Sequence, residues 1–373
     1  MYVKEISLSD FRNLGRQSVS LSEHVNVFYG ENAQGKTNLL ESVFLLSCPK
    51  GFRQGKDRDY IAFGKDSAKV RLNYVAFGRE QQIELSLFSD ARKSITLNGI
   101  PIRRSGELAA QFCTVLFVPG HLNLVKGGPE ERRLFLDTAI SQLRPKYPRA
   151  LADYGRVISQ KNMLLKRGAA DRSLLEVWNQ RLIELGSYLT LQRGSYVRKL
   201  SAAAAEHHRK LSRGEELRCE YRWFPGLPGG EGITDLSVVR EVFASALKQA
   251  AEQEFERGMC LVGPHRDDLE LLIDGRSARL FGSQGQQRSV ALSLKLGECE
   301  LVEKTVGEAP VLLLDDVMSE LDRSRQQYIR SNLKKRQVLI TSCARAHALK
   351  TAAAFSVEKG KVVRLFAKGE ENR

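Results

Sequence analysis

Gly30-Glu31-Asn32-Ala33-Gln34-Gly35-Lys36-Thr37 fills the pattern G-x-x-x-x-G-K-[ST] at every fixed position. Just before it, Val25 to Tyr29 is a short β-branched and aromatic run of the kind that forms a strand. Just after it, Leu39, Leu40, Val43, Phe44 and Leu46 share one helical stripe, so a helix is expected to start near Gly35. Strand, glycine loop and helix in that order make a phosphate cradle. The glycines let the backbone curl until successive N–H groups face inward. The helix N-terminus adds positive potential at the same point. In such a cradle Lys36 reaches the β- and γ-phosphates of ATP, and the Thr37 hydroxyl ligates Mg²⁺. Gly30, Glu31, Asn32, Ala33, Gln34 and Gly35 are therefore expected to wrap the nucleotide, with Lys36 serving catalysis as well. The competing reading is a glycine-rich surface turn.

Far down the chain, Val311-Leu312-Leu313-Leu314-Asp315-Asp316 is four aliphatic residues ending in two carboxylates. A strand buried on both faces reads this way, and nucleotide sites in open α/β sheets lie at the carboxyl ends of such strands. Asp315 is expected to hold Mg²⁺, directly or through water, and Asp316 to orient and polarise the attacking water. Two adjacent carboxylates suit two adjacent tasks, one on the metal and one on the nucleophile. A plain Asp turn at a strand end is the alternative.

Between these segments, Phe281-Gly282-Ser283-Gln284-Gly285-Gln286-Gln287-Arg288 opens a long helix carrying Val290, Leu292, Leu294, Leu296 and Leu301. A Ser and a Gly at a helix start offer a hydroxyl and N–H groups to an anion. Ser283 is also a good N-cap, so an ordinary capped helix stays open as a reading. The chain already has one phosphate loop. A second γ-phosphate reader outside that loop makes sense if it completes the site of another subunit. The order of parts favours this: phosphate loop, long insertion, S-x-G-Q at a helix start, then the acidic strand. It is the order of ATP-binding-cassette heads, and Ser319-Glu320-Leu321-Asp322 resembles the loop that crosses the dimer interface in them.

Further segments narrow the resemblance. Phe11-Arg12-Asn13, Val125-Lys126-Gly127, Arg132-Arg133, Phe135-Leu136-Asp137 and Gly263-Pro264-His265-Arg266-Asp267-Asp268, together with the motifs above, resemble the RecF family nearly end to end and in its order. SMC heads and transporter ATPases lack the G-P-H-R-D-D segment, and the insertion here has no sustained heptad repeat. The resemblance implies an α/β P-loop ATPase head, a mixed sheet with helices, carrying an inserted, mainly helical lever arm. It implies an ATP-dependent homodimer, a weak DNA-dependent ATPase used as a switch, and binding to duplex DNA or single-strand/double-strand junctions. RecR and RecO are the implied partners in loading a RecA-type recombinase, in DNA repair, replication and the SOS response. Ser283, Gln284, Gly285 and Gln286 would contact the nucleotide of the second copy, and Arg12 and Asn13 would touch it from the side. Two positions depart from the family pattern. Pro119-Gly120-His121-Leu122 lacks the usual carboxylates, and Thr341-Ser342 stands where transporter heads carry a switch histidine. His347 is out of register and receives no role. The Gln that completes Mg²⁺ coordination in such heads is not identifiable.

The 373 residues are 42% hydrophobic, enough for two or three folded domains. Glu130 to Leu211 has helical spacing and Leu217 to Trp223 strand character. Gly/Pro residues over Pro225–Gly232 read as a loop, and Val238 to Arg257 as one more helix. Antiparallel strands are expected at Val70–Phe77, Gln82–Phe88 and Ser94–Leu97, with a turn at Asn98-Gly99. The expected division is 1–126 and 258–373 for the head, and 127–257 for the helical insertion. The formal charge of +14 favours a polyanionic partner, although many soluble proteins are merely basic. From Ser141 to Glu220 there are 16 Lys and Arg against 8 Asp and Glu, and a smaller run follows at Lys50, Arg53, Lys56 and Arg58. That basic insertion reads equally as a DNA track or a solvated helix face. The six cysteines are scattered, without a C-x-x-C pair, and Met1 to Asp10 reads as an alternating strand rather than a signal peptide. A cytoplasmic protein is expected. Three rivals remain. A P-loop kinase leaves Ser283 to Arg288 unexplained. A nuclease of the overcoming-lysogenisation-defect class expects a nuclease domain after the head. A transporter's energising subunit expects a switch histidine and a shorter insertion.

Overall fold

The computed structural model describes residues 1–48, 56–167, 172–212, 214–224, 235–333, 336–343 and 353–365. Lys50 and Arg53 of the basic run, the loop at 225–232 and His347 lie outside the described residues. The chain forms two compact units, Met1–His121 with Glu298–Arg373, and Leu122–Gly297. The functional division at 127–257 is a proposal about which residues act as one arm; the compact units change over at 121/122 and 297/298.

In chain order the first unit begins with β1 (Tyr2–Ser9), β2 (Gln17–Ser20), β3 (Val25–Tyr29), α1 (Lys36–Ser47), β4 (Ser67–Ala76), β5 (Arg79–Phe88), β6 (Ser94–Leu97), β7 (Ile100–Pro101) and β8 (Thr114–Phe117). The second unit holds α2 (Asn123–Lys126), α3 (Pro129–Leu143), α4 (Tyr147–Lys166), α5 (Arg172–Leu211), β9 (Leu217–Arg222), α6 (Leu236–Arg257), β10 (Asp268–Ile273), β11 (Arg276–Ser277), α7 (Ala278–Phe281) and the start of α8 (Gln284–Val306). The first unit then resumes with β12 (Val311–Asp315), α9 (Arg323–Leu333), β13 (Val338–Ser342), β14 (Ala353–Glu358) and β15 (Lys361–Leu365).

The first unit contains two sheets. One is antiparallel, in the order β2-β1-β4-β5-β6-β7. Its strands alternate as one buried face requires: Ala68, Val70, Leu72 and Tyr74 point inward from β4, and Ile83, Leu85 and Leu87 from β5. Asn98 and Gly99, both at positive φ, close the β6–β7 hairpin in the conformation that a two-residue turn demands. The other sheet runs β15-β14-β3-β13-β12-β8. Within it β14, β3, β13, β12 and β8 are parallel, and β15 is an antiparallel edge. Val311 to Leu314 are at most 3% exposed, which explains the unbroken aliphatic run. Because the strands are parallel, the carboxyl ends of β3, β12 and β13 meet at one edge. Asp315 pairs with Thr341, and Ser342 with Tyr29.

The second unit is mainly helical, with the three-stranded sheet β11-β10-β9. Its interior is polar where the Gly263–Asp268 segment passes. The Arg193 guanidinium, buried on α5, donates to Asp137 of α3 at 2.9 Å and to the Pro264 carbonyl at 2.6 Å, and lies 3.4 Å from Asp267. The Asp267 carboxylate also accepts from the Tyr221 hydroxyl and from the Phe224 N–H. Arg132 forks onto Asp268 at 2.6 and 2.9 Å. His265 lies 2.8 Å from the Tyr154 hydroxyl, and burial pushes its pKa down to about 4, so the ring is neutral at neutral pH. At Gly263, with φ +131, a Cβ would strike the Tyr154 hydroxyl and the Phe243 ring. Most of the G-P-H-R-D-D string thus packs into the polar interior of this unit, with Arg266 exposed.

Candidate nucleotide-binding site

The glycine loop joins β3 to α1, as its flanking residues require. A Cβ on Gly30 would strike the Val357 carbonyl of β14, and one on Gly35 would sit 2.9 Å from Asn13 Oδ1. Gly35 also has φ +114, so both glycines are demanded by close approach and the second by its backbone as well. Gln34 is held by the β14–β15 turn. Its carbonyl accepts from the Gly360 N–H at 3.0 Å, and its side chain from the Lys359 N–H at 2.6 Å. The Lys36 side chain folds back over the loop, its ammonium donating to the carbonyls of Gly30 and Glu31, and the residue is 6% exposed. It is a cation held at the mouth of the glycine loop.

Next to it the strand ends converge. Thr37 Oγ1 donates to Asp315 Oδ1 at 3.0 Å, and Thr341 Oγ1 donates to the same oxygen at 2.7 Å. Thr341 Oγ1 in turn accepts the Asp316 N–H at 2.9 Å. Asp316 has φ 51, a left-handed conformation that turns the chain sharply after the strand. Cys343 Sγ is exposed, 3.0 Å from Asn32 Oδ1, 3.5 Å from Lys36 Nζ and 3.8 Å from Asp316 Oδ2. The oxygen pair of Thr37 and Asp315 fits Mg²⁺, a hard cation that takes one or two protein oxygens beside phosphates and water.

Arg12 and Asn13 sit in the turn after β1. Arg12 Nε lies 2.8 Å from Glu41, fully buried on α1, and its guanidinium covers the Tyr60 ring at 4.8 Å. Asn13 accepts from the Asn38 side chain at 2.8 Å. Both therefore brace the start of α1. A cleft of about 1170 Å³ opens beside the loop, lined by Arg16, Tyr29, Gly30, Gln34, Lys359 and Lys361 among others.

Ser283 and Gln286 form a reciprocal cap at the start of α8. The Ser283 N–H donates to Gln286 Oε1 at 2.8 Å, and the Gln286 N–H to Ser283 Oγ at 3.2 Å. The capped-helix reading is correct as geometry, yet Ser283 and Gln284 remain exposed. Leu280 and Phe281, just before them, are each 73% exposed. Asp322 caps α9 through the Arg325 N–H at 2.9 Å. In the turn Pro119–Leu122, which departs from the family pattern, His121 Nδ1 accepts from the Val118 N–H at 3.3 Å.

The family model for the RecF/RecN/SMC N-terminal domain matches residues 2–363. The DNA replication and repair protein RecF of Alkaliphilus oremlandii is 40% identical over 342 residues, covering 92% of this chain and 93% of that one. The RecF of Bacillus cytotoxicus is 38% identical over 370 residues, covering 97% and 98%. The chain belongs to the RecF family. Among solved structures, the recombination mediator protein RecF with ATP in the RecFOR pathway superposes with a TM-score of 0.90 at 36% identity, covering 98% of both chains. Its counterpart described as RecF-ATPrS gives 0.92 at the same identity and coverage. An SMC head bound to the winged-helix domain of ScpA gives 0.53 at 17% identity and shares the fold. The RecF fold is thus an ATPase head with mixed sheets and helices, as expected. Among the described residues, no helix is long and apolar enough to cross a membrane.

Thr341 and Cys343 are the residues of this RecF chain that sequence reading left without a role at the loop. Thr341 comes beside Asp315 through strand register, and Cys343, just past β13, comes beside Asn32, just past the neighbouring β3; neither leaves a local spacing signal.

Proposed function

We propose that this chain is an ATP-dependent DNA-binding recombination mediator of the cytoplasm. Two copies close around two nucleotides at gapped DNA or stalled forks, and with RecO and RecR help load a RecA-type recombinase. The observation that carries the nucleotide reading is the single Asp315 oxygen shared by Thr37 and Thr341, directly beside the Lys36 loop. RecF relatives named for DNA replication and repair, one solved with ATP in the RecFOR pathway, support the rest, as does the +14 charge.

In this mechanism the phosphates of ATP enter the loop from Gly30 to Thr37, and the Lys36 ammonium swings from the loop carbonyls to the β- and γ-phosphate oxygens. Thr37 and Asp315 would hold Mg²⁺, which supplies charge neutralisation on the phosphates. Ser283 and the backbone at Gly285 of a second copy grip the γ-phosphate, with Gln284 and Gln286 beside them, so each nucleotide has two owners. Arg12 and Asn13 flank it from the α1 side. Asp316 orients a water whose oxygen attacks the γ-phosphorus. The bond to the bridging oxygen breaks, and ADP and phosphate leave. Loss of the bridging charge releases the second copy, an order–disorder switch of the kind γ-phosphates control. Turnover is slow and rises on DNA. The closed pair presents basic surface to duplex or junction DNA, and DNA retention falls steeply with added salt as counterions return.

Ser283→Arg separates the two halves of this reading. Each chain should still bind a fluorescent ATP analogue with normal affinity, while ATP should no longer increase retention of a gapped duplex. If retention still rises with ATP, the second-copy role of Ser283 is wrong.

A further inference from the structure

Gln286 has one amide to place, and both of its ends are committed. Its oxygen accepts the Ser283 N–H at 2.8 Å, and its NH₂ donates to Glu215 Oε1 at 2.9 Å. A carboxylate only accepts, so Glu215 dictates which way round the amide faces, leaving the oxygen for Ser283. Glu215 is itself fixed from three sides. It follows Gly214, whose φ of +111 favours glycine. Its neighbour Glu216 is locked to the β10–β11 turn by two 2.9 Å bonds with Asp274. Its second oxygen lies 3.3 Å from Nε2 of His208, a fully buried ring on the last turn of α5. His208 in turn sits 3.5 Å from Ser293 on α8. The start of α8 is therefore tied to Glu215 by hydrogen bonds running Ser283, Gln286, Glu215, with the His208 ring against the other Glu215 oxygen.

We propose that Glu215 is a positioning residue for the nucleotide site: it orients Gln286, and through it holds Ser283 in the geometry that grips the γ-phosphate of a second copy. This rests on the reading that Ser283 acts on another chain's nucleotide. Glu215 touches no nucleotide itself, so its removal should leave binding by each chain alone intact and weaken the joining of two.

The test uses the full chain with Glu215→Ala, Glu215→Gln, Gln286→Leu, the Glu215→Ala/Gln286→Leu double variant and Ser283→Arg. Affinity for a fluorescent ATP analogue is measured per chain, and the ATP concentration giving half-maximal dimer is measured by sedimentation. Glu215→Ala should bind the analogue normally and need about tenfold more ATP to dimerise, the scale of one lost charge-assisted hydrogen bond. Glu215→Gln keeps an acceptor and should stay within about threefold of the parent by the same reckoning. Gln286→Leu, which also loses its own place beside the γ-phosphate, should need at least as much ATP as Glu215→Ala, and the double variant should be no worse than Gln286→Leu alone. A Glu215→Ala midpoint equal to the parent's, alongside a Ser283→Arg that no longer dimerises, overturns this inference and leaves the second-copy reading standing. A Glu215→Gln as poor as Glu215→Ala, or a double variant with summed effects, also overturns it. Dimers of Ser283→Arg would instead remove the reading on which it rests.

Discussion

Thr341 serves both carboxylate positions: its hydroxyl donates to Asp315 at 2.7 Å and accepts the Asp316 N–H at 2.9 Å. Removing it frees the proposed metal ligand to rotate and loosens the backbone that carries the proposed water-orienting residue. Thr341→Val keeps shape and burial while deleting both bonds. Phosphate release should fall about ten- to a hundredfold, the scale of a hydrogen bond to a charged group, with ATP affinity changed by less than about twofold because Lys36 and the loop are untouched. Parallel phosphate-release and nucleotide-binding assays check this, and unchanged turnover would remove Thr341 from the site. Residues like Lys36, Thr37 and Asp315 are legible in the sequence because their chemistry imposes a fixed local string. Thr341 and Cys343 are not, because their places depend on β13 lying beside β12 and β3 in one register.

At the level of elements, legibility follows periodicity. β3 and β6 have the bounds their composition suggests, α1 lies where its stripe puts it, and β4 runs Ser67–Ala76 rather than Val70–Phe77. β5 begins at Arg79 rather than Gln82 because the polar stretch Arg79 to Gln82 hides its first residues. α9 is obscured by Arg323-Ser324-Arg325-Gln326-Gln327, which offers no apolar stripe. The G-P-H-R-D-D string is conspicuous in sequence, but its task needs the structure: it meets Arg193, about 70 residues earlier in the chain. Arg193 answers Asp137 and Asp267 in a buried setting. Arg193→Met should therefore destabilise by about 3–5 kcal/mol, because it strands buried carboxylates. Urea unfolding measures it, and a loss below about 1 kcal/mol would show these contacts to be solvent-like.

For the whole molecule, the charge, the head motifs and the long insertion are readable without coordinates, whereas the change-over at 121/122 and 297/298 is not. α8 runs unbroken past the second of these points, so no turn signal marks it. The loop residues belong to one unit and Ser283 to the other. The account requires a triphosphate to join two molecules. Sedimentation of Asp316→Asn, which should bind ATP and hydrolyse it slowly, tests this most directly. With ATP and Mg²⁺ the account predicts a dimer holding one nucleotide per chain, with ADP or no nucleotide a monomer, and with Ser283→Arg added a monomer that still holds ATP. An Asp316→Asn chain saturated with ATP that sediments as a monomer at every protein concentration would contradict it.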